Sequence, residues 1–190
     1  LSEPVTQATL RIVKVFWGLD YDLSYQRHFP AINWLNSYSL YQDKMDKFID
    51  SDVDEDFSTH RKRAMSLLQQ ESGLLEVVRL VGRDALSDDD KLKLNVTKSI
   101  REDYLQQNAF HDTDTYCSLD KQDKMLNLIL YFYDKSLEAL SKGVEIKDIE
   151  NLEVNEAISR LKLISEDNKE RFTEITEEID QAIDKLVKEA

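Results

Sequence analysis

Residue types that commonly carry catalysis or bind metals are sparse in this chain. It contains three histidines, His28, His60 and His111, and a single cysteine, Cys117. Their spacing lacks the four closely placed nitrogen and sulfur ligands of a structural zinc site. Two aspartates near His111 leave a weak metal site in that loop as one alternative, and a Cys117 nucleophile paired with His111 is another. The sequence favours neither, because free cysteines are more often packed than reactive.

An acidic run at 50–56 is the next candidate site. Asp50, Asp52, Asp54 and Asp56 alternate along the chain as the ligands of a calcium loop do. The sixth position from Asp50 is not glycine and the twelfth is not glutamate, whereas a calcium loop of this kind has both. We therefore predict a solvated acidic turn here, and neither a catalytic residue nor a metal site in the chain as a whole.

Glycine and proline are scarce, with 4 and 2 in 190 residues, against roughly 13 and 10 at average usage. Every glycine stands alone, so these residues contain no glycine-rich loop that could cradle a nucleotide phosphate. A shortage of tight-turn residues also argues against a β-sandwich or barrel. The abundance of Leu, Glu, Asp and Lys instead predicts a mostly helical protein.

The charge and the cysteine count restrict the partners and the compartment. A formal net charge of −13 argues against nucleic acid or an anionic membrane as a direct partner. No stretch approaches the roughly 18 apolar residues that a membrane-spanning helix needs. One cysteine excludes an internal disulfide and fits a reducing compartment.

The elements that would position functional residues follow from the hydrophobic pattern. Residues 9–17 (TLRIVKVFW) are rich in β-branched and aromatic types and predict one buried strand. Residues 23–28 predict a short helical turn that stops before Pro30. From about Ser37 the apolar period becomes helical, with helices predicted at about 37–49, 55–82, 87–105, 118–142 and 154–187.

Capping residues define several helix ends. Ser87, followed by three aspartates, and Ser118 are typical N-caps, while Gly82 and Gly143 are typical C-terminal stops. The helix at 55–82, which Gly73 is able to interrupt, is predicted to face inward with Phe57, Ala64, Leu67, Leu68, Leu75, Val78 and Val81.

The last predicted helix, 154–187, carries apolar residues in a near seven-residue repeat that Ser165 and Asn168 interrupt. Such a repeat can pair with a partner helix, which would make the chain a free-standing helical scaffold or interaction domain without a nucleotide role. The sequence favours packing of this helix within its own domain.

Four stretches of the sequence carry a family resemblance. SEPVTQATLRIVKVFWGLD and SYQRHFPAINWLNSYS, followed by GLLEVVRLVGRDALSDDDKL and REDYLQQNAFHDTDTYCSLDKQ, resemble the catalytic A (alpha) subunit of archaeal and bacterial V-type (A-type) rotary ATPases. The resemblance covers about residues 1–135. The phosphate-binding loop, the catalytic glutamate and the magnesium-side acid of that family all precede this segment. The resemblance therefore implies the C-terminal third of a longer subunit, consistent with a chain that does not begin with Met.

The resemblance also implies a fold and a division into domains. We expect a mainly α protein in which a helical bundle follows one strand and a short helix left from the α/β nucleotide-binding domain. Residues 1–36 would be the end of that domain, and residues 37–190 would be the helical C-terminal domain.

A turn with a phenylalanine is the first place where the resemblance implies a function. Related F-type β subunits have an aromatic-Pro-Ala motif whose aromatic ring stacks on adenine, and Phe29 with Pro30 matches it. Because Pro30 restricts the backbone, it would present the Phe29 ring rigidly. The alternative from the residues alone is that Phe29 packs in the core.

A loop at 106–117 is the second such place, since the rotary ATPases use it to close the other side of the adenine pocket. Phe110 and Tyr116 match positions that are aromatic in the F-type relatives, and which ring contacts the base stays open. Polar or backbone contacts to the base edge would come from Gln107, Asn108 and Ala109. A solvent loop anchored by two aromatic rings is the alternative.

The acidic segment at 84–90 is the third place, and it matches the lever that presses on the central rotor shaft in F-type β subunits. This sequence departs from the pattern at Ala85 and has Asp where the other family has Glu. The implied rotor contacts are Asp84, Ser87, Asp88, Asp89 and Asp90. Simple helix capping by Ser87 is compatible with that role.

The resemblance implies an ion-translocating rotary ATPase or ATP synthase, cytoplasmic and peripheral to the membrane through its complex. The intact subunit would bind ATP or ADP with magnesium, alternating with B subunits in a hexameric head around the rotor shaft. The segment itself would supply the adenine-side pocket and the lever, bind no cofactor alone and hydrolyse no ATP alone.

Overall fold

The computed structural model describes residues 3–190, so Leu1 and Ser2 of the predicted first domain lie outside the described residues. The N-terminal segment contains α1 (Pro4–Leu10), β1 (Val15–Leu19), α2 (Tyr21–Tyr25) and β2 (Ile32–Ser39). Helices then follow as α3 (Gln42–Asp52), α4 (Phe57–Val81), α5 (Asp88–Ser99), α6 (Leu119–Ser141), α7 (Ile146–Glu150), α8 (Val154–Ser159) and α9 (Glu170–Glu189). The mainly α fold class is confirmed.

The strand predicted at 9–17 is wrong in its bounds. Residues through Leu10 form α1, because Pro4 occupies its first turn with a backbone angle already suited to a helix. The strand is Val15–Leu19, and its side chains alternate between exposed and half-buried rather than being buried throughout. The β-branched residues of 9–17 therefore do not form one continuous buried strand.

A second strand corrects the expectation of only one. β2 pairs antiparallel with β1, with Val15 opposite Ser39 and Leu19 opposite Ile32, and an irregularity lies between Phe16 and Gly18. The continuous run of helices thus begins at Gln42, after the strand pair, rather than near Ser37. The predicted domain boundary between residues 36 and 37 falls inside β2.

The core of the bundle lies around α6. Packed against this helix are α4, α5 and α9, and its residues Leu126, Ile129 and Leu130 are almost completely buried. The predicted N-caps are confirmed: Ser87 Oγ accepts from the Asp90 amide at 3.2 Å, and Ser118 Oγ accepts from the Lys121 amide at 3.1 Å. None of the helices within residues 3–190 is long and apolar enough to cross a membrane.

The inward face predicted for α4 holds only in its first half. Phe57, Ala64, Leu67 and Leu68 are buried, but Leu75 and Val81 are exposed and Val78 is only half-buried. Gly73 does not interrupt the helix, which continues to its C-terminal cap at Gly82 with φ +85°. The second half of α4 projects beyond the core because the bundle covers only the first half.

The segment at 154–187 is not one helix. It contains α8, a 3₁₀ turn at Leu161–Leu163 and α9, and the break falls where Ser165 and Asn168 interrupt the repeat. The Asn168 amide donates to the Ser165 carbonyl at 3.0 Å, which closes a turn there. The apolar residues Ile158, Leu161, Phe172, Ile175 and Ile179 are buried in this chain's own core. Packing within the domain is thereby confirmed over pairing with an outside helix through this stripe.

Candidate functional site

The turn between α2 and β2 presents an aromatic ring. Arg27 has a positive φ of 59°, and the Phe29–Pro30 peptide bond is cis. His28 beside it is buried, with Nε2 donating to the Arg101 carbonyl at 2.9 Å. The Phe29 side chain, in contrast, is 53% exposed. A ring with that exposure is available for a ligand, so the alternative in which Phe29 fills the core does not hold for the described residues.

The loop at 106–117 meets this turn directly. The Gln107 amide donates to the Phe29 carbonyl at 2.7 Å, although 78 positions separate the two residues in sequence. The Gln106 side-chain amide donates to the Arg27 carbonyl at 3.5 Å. The structure therefore brings together the two segments that the sequence identified separately, and main-chain atoms fix their spacing.

A buried carboxylate organises the interior of the loop. Asp114 is almost fully buried, and its Oδ2 accepts from the Asn108 amide at 2.6 Å. Its main-chain oxygen accepts from the Gln107 side chain at 3.3 Å. The Thr115 hydroxyl donates to the Ala109 carbonyl at 3.1 Å. These bonds make the loop a compact unit, which directs the rings outward, Phe110 being 98% and Tyr116 70% exposed.

A small cavity lies behind the turn and the loop. Its volume is about 190 Å³, and its walls are Pro30, Tyr104, Leu105, Gln107, Asp114, Cys117, Gln122 and Met125. Burial raises the pKa of the Cys117 thiol to about 11. The thiol is therefore protonated at neutral pH, which makes it a poor nucleophile.

His111 makes a local contact. Its Nδ1 accepts from the Thr113 amide at 3.2 Å, so the ring is engaged within its own turn. Among residues 3–190, no group of three or more His, Cys, Asp and Glu side chains is arranged to hold a metal ion.

The acidic segment forms a distinct surface at the end of α4. A 3₁₀ turn, Arg83–Ala85, follows Gly82, and Leu86 is buried under it. Arg83 donates to Asn95 Oδ1 at 2.8 Å and pairs with Glu150. These contacts anchor the residue just before the acidic segment to the bundle.

The predicted rotor contacts are mostly exposed. Asp84, Ser87, Asp88 and Asp89 are exposed, and Asp90 is half-buried. Two of these acids pair with lysines of the same helix, Asp88 with Lys91 and Asp90 with Lys93, each at 2.9 Å. Hydrogen bonds from Lys93 and Ser87 lower the pKa of Asp90.

Comparison with known proteins decides the family. A family model described as the C-terminal domain of V and A type ATP synthase matches residues 46–150. The chain belongs to this family. A second model, the nucleotide-binding domain of the ATP synthase alpha/beta family, matches residues 1–39. The chain is thus a V/A-type ATP synthase segment that joins the two domains.

Curated relatives are similar in sequence over nearly the whole of this chain. The V-type ATP synthase alpha chain of Clostridium botulinum (strain Langeland) is 60% identical over 187 residues, covering 98% of this chain and 32% of the relative. Those of Clostridium novyi and Clostridium perfringens (strain SM101) are 60% and 57% identical over 190 and 189 residues, covering 100% of this chain and 32% of each relative. The chain therefore spans about a third of the length of these curated relatives.

A solved structure, described as a unique ATP synthase subunit NeqB from Nanoarcheaum equitans, is also similar. It is 20% identical, has a TM-score of 0.48, and the match covers 68% of this chain and 30% of that chain.

Within this V/A-type segment, some of the predicted site residues are in direct contact with one another and others are not. Phe29 and Gln107 are hydrogen-bonded, and Pro30 and Gln107 line one cavity. Asn108 and Ala109 lie in the same loop and are bound to its other side, while the rings of Phe110 and Tyr116 face solvent.

Sequence reasoning missed three residues that hold these segments together, namely His28, Asp114 and Lys162. His28 and Asp114 were considered only as metal or catalytic candidates or as part of a polar loop. Both are buried and bonded to main-chain atoms, a role that residue type and spacing do not reveal. Lys162 donates to Glu102 and Gln106 carbonyls, and no local signal marks a contact across more than fifty residues.

Proposed function

We propose that this chain is the C-terminal part of the catalytic alpha (A) subunit of a V-type ATPase or ATP synthase. The intact enzyme would couple ATP hydrolysis or synthesis to ion movement across a membrane, with this subunit cytoplasmic and peripheral to the membrane. Residues 1–36 would complete the nucleotide-binding domain, and residues 37–190 would form the helical C-terminal domain. The observation that carries the proposal is the 60% identity to a V-type ATP synthase alpha chain over 98% of this chain. Within it, the 2.7 Å hydrogen bond between the Gln107 amide and the Phe29 carbonyl brings the turn and the loop together.

That hydrogen bond supports an adenine-side pocket made from the turn and the loop. Phe29 would stack on the base, since its ring is half-exposed and Pro30 restricts the turn beside it. Gln107, Asn108 and Ala109 would contact the base edge, and Phe110 or Tyr116 would close the pocket when nucleotide binds. ATP or ADP would be bound with magnesium through the phosphate-binding part of the intact subunit, so we expect no turnover from the 190-residue chain alone.

The acidic segment would act as the lever in the same subunit. Asp84, Ser87, Asp88, Asp89 and Asp90 would face the central rotor shaft, while B subunits of the hexameric head would flank the domain. From Asp88, α5 runs about 18 Å toward the loop, given 1.5 Å per residue. Nucleotide-dependent closure of the pocket would therefore move the lever as part of a rigid bundle.

The test of the pocket is nucleotide affinity in the full-length subunit within its assembled enzyme. Because one stacked base contributes about 1–3 kcal/mol, we expect Phe29→Ala to weaken ADP binding about 5- to 150-fold. Phe29→Tyr keeps the ring and should stay close to wild type. Tyr25→Ala, which removes an exposed ring outside the pocket, is the matched control. Unchanged ADP affinity in Phe29→Ala would remove Phe29 from the proposed site.

A further inference from the structure

A π-helical segment, Ile100–Leu105, joins α5 to the loop at 106–117. The Gln106 amide donates to the Arg101 carbonyl at 3.0 Å, the five-residue step that defines this helix type. π-Helical turns are rare, occur mostly as single turns within α-helices, and are frequent at functional sites. Here the turn places Gln107 at the start of the loop, opposite Phe29.

The last carbonyls of this segment are bound by a side chain from a remote part of the chain. Lys162 Nζ donates to the Glu102 carbonyl at 2.7 Å and to the Gln106 carbonyl at 3.2 Å. A helix leaves its final carbonyls without partners within the helix, and a cation at that end also complements the negative end of the helix dipole. Lys162 therefore satisfies both the hydrogen-bonding and the charge requirement of this helix end.

The position of Lys162 is itself fixed from the core. It lies in the 3₁₀ turn Leu161–Leu163, whose Leu161 side chain is completely buried. The Lys162 carbonyl accepts from Lys121 Nζ at 2.8 Å, and Lys121 is almost completely buried in α6. Because Lys162 is held to the buried core in this way, its hydrogen bonds fix the end of the π-helical segment relative to the bundle.

We propose that Lys162 is a positioning residue for nucleotide binding. By holding the carbonyls of Glu102 and Gln106, it fixes the place where the loop leaves the helix, and so it places the Gln107 amide on the Phe29 carbonyl. Lys162 does not contact the base. The inference rests on the proposed adenine pocket and adds to it a residue that neither borders the cavity nor lies in the loop.

The experiment compares an adenine nucleotide with a ligand that lacks adenine. In the full-length subunit within its assembled enzyme, equilibrium binding of ADP and of pyrophosphate is measured for wild type, Lys162→Met and Lys162→Arg. We expect Lys162→Met to weaken ADP binding about 3- to 10-fold and to leave pyrophosphate binding unchanged, because only the base side of the site is displaced. Lys162→Arg keeps a cationic donor and should recover most of the loss.

A matched control separates positioning from general damage. Lys142→Met removes an exposed lysine that pairs with Glu138 on α6, and it should change neither affinity. Equal losses of ADP and pyrophosphate binding in Lys162→Met would mean that the lysine only stabilises the fold, and would overturn the inference. Normal ADP binding in Lys162→Met, alongside a loss in Phe29→Ala, would overturn the inference and leave the adenine pocket standing. Normal binding in both variants would overturn both.

Amide hydrogen exchange gives an independent readout on the same variants. We expect the Gln107 amide to exchange faster in Lys162→Met, while amides in the middle of α6 keep their protection. Unchanged protection at Gln107 would contradict the proposal irrespective of the binding data.

Discussion

The helical bundle and the N-terminal segment, residues 3–39, differ in how far their large apolar side chains are exposed to solvent. In α6, Leu130 is 1% exposed and lies among buried residues from several helices. In β1, Leu19 is 85% exposed, and Trp17 beside it is also exposed. The bundle is stabilised by its own core, whereas the N-terminal segment is held to the bundle by a few specific contacts. Among these contacts, Trp34 packs against the bundle core, and the hydrogen bonds of His28 and Phe29 lie at the proposed nucleotide site.

The same comparison explains where movement is easiest. Opening the bundle would expose a continuous core, but separating residues 27–31 from the loop breaks mainly the bonds of His28 and Phe29 to Arg101 and Gln107. Regions with few buried apolar contacts open at low free-energy cost. A nucleotide bound between the turn and the loop would then stabilise their closed arrangement.

The largest effect on the free energy of unfolding is expected when a leucine of the bundle is replaced by alanine. The same replacement in the N-terminal segment is the comparison. Leu130→Ala should lower the free energy of unfolding by about 2–5 kcal/mol, because it removes buried methyl groups and leaves a cavity. Leu19→Ala should change it by less than about 0.5 kcal/mol, as exposed positions do. Urea unfolding of the 190-residue chain measures both. Similar losses at the two positions would show that the N-terminal segment has a core of its own.

A smaller effect is expected from His28→Ala, which removes a tie between the two regions. Losing a buried hydrogen bond costs about 1–2 kcal/mol, so amides of β1 and β2 should exchange roughly tenfold faster, while those of α6 stay unchanged. His111→Ala, whose ring is engaged within its own loop, is the control and should leave β1 and β2 unaffected. Equal acceleration in α6 would contradict the division into two regions.

The smallest effect is expected in the acidic segment at 84–90, where charge rather than burial acts. Asp90 has a pKa below its ordinary value of 3.8, chiefly because of the Lys93 hydrogen bond. The folded state therefore favours the ionised carboxylate, and this stabilisation is present above pH 3.8 and is lost as pH falls below it. Asp90→Asn should cost about 0.3–1 kcal/mol at pH 7.

That cost at Asp90 should shrink as the pH falls below 3.8, because the wild-type protein loses the stabilisation that its ionised carboxylate provides. Thermal unfolding of both proteins across this range checks the prediction, with Asp89→Asn, at an exposed acid of the same turn, as the control. A cost that persists unchanged at pH 2 would show that Asp90 acts by packing and not by charge.

What the sequence predicts well in this molecule is local. The caps at Ser87 and Ser118 and the stops at Gly82 and Gly143 depend on a few neighbouring residues, so the sequence alone locates them. The strand β2 was missed because its residues, INWLNSYS, do not alternate clearly and are defined by pairing with β1. The exposed second half of α4 was missed because its helical pattern continues after the core that covers its first half has ended.

The same limit applies to the candidate site, where the sequence indicates local segments but not the contacts between them. The resemblance indicated the turn with Phe29 and the loop after Gln106, and the structure joins them by one main-chain hydrogen bond. His28 and Lys162 were missed because each acts on a main-chain carbonyl far away in sequence, and a main-chain partner leaves no mark in residue types.

The most direct test of the proposed adenine pocket is the ratio of ADP to pyrophosphate affinity in Phe29→Ala, measured in the full-length subunit within its assembled enzyme. If Phe29 stacks on the base, ADP binding weakens about 5- to 150-fold and pyrophosphate binding stays at the wild-type value. Wild-type affinity for ADP, or an equal loss for both ligands, would contradict the assignment of this turn to the base.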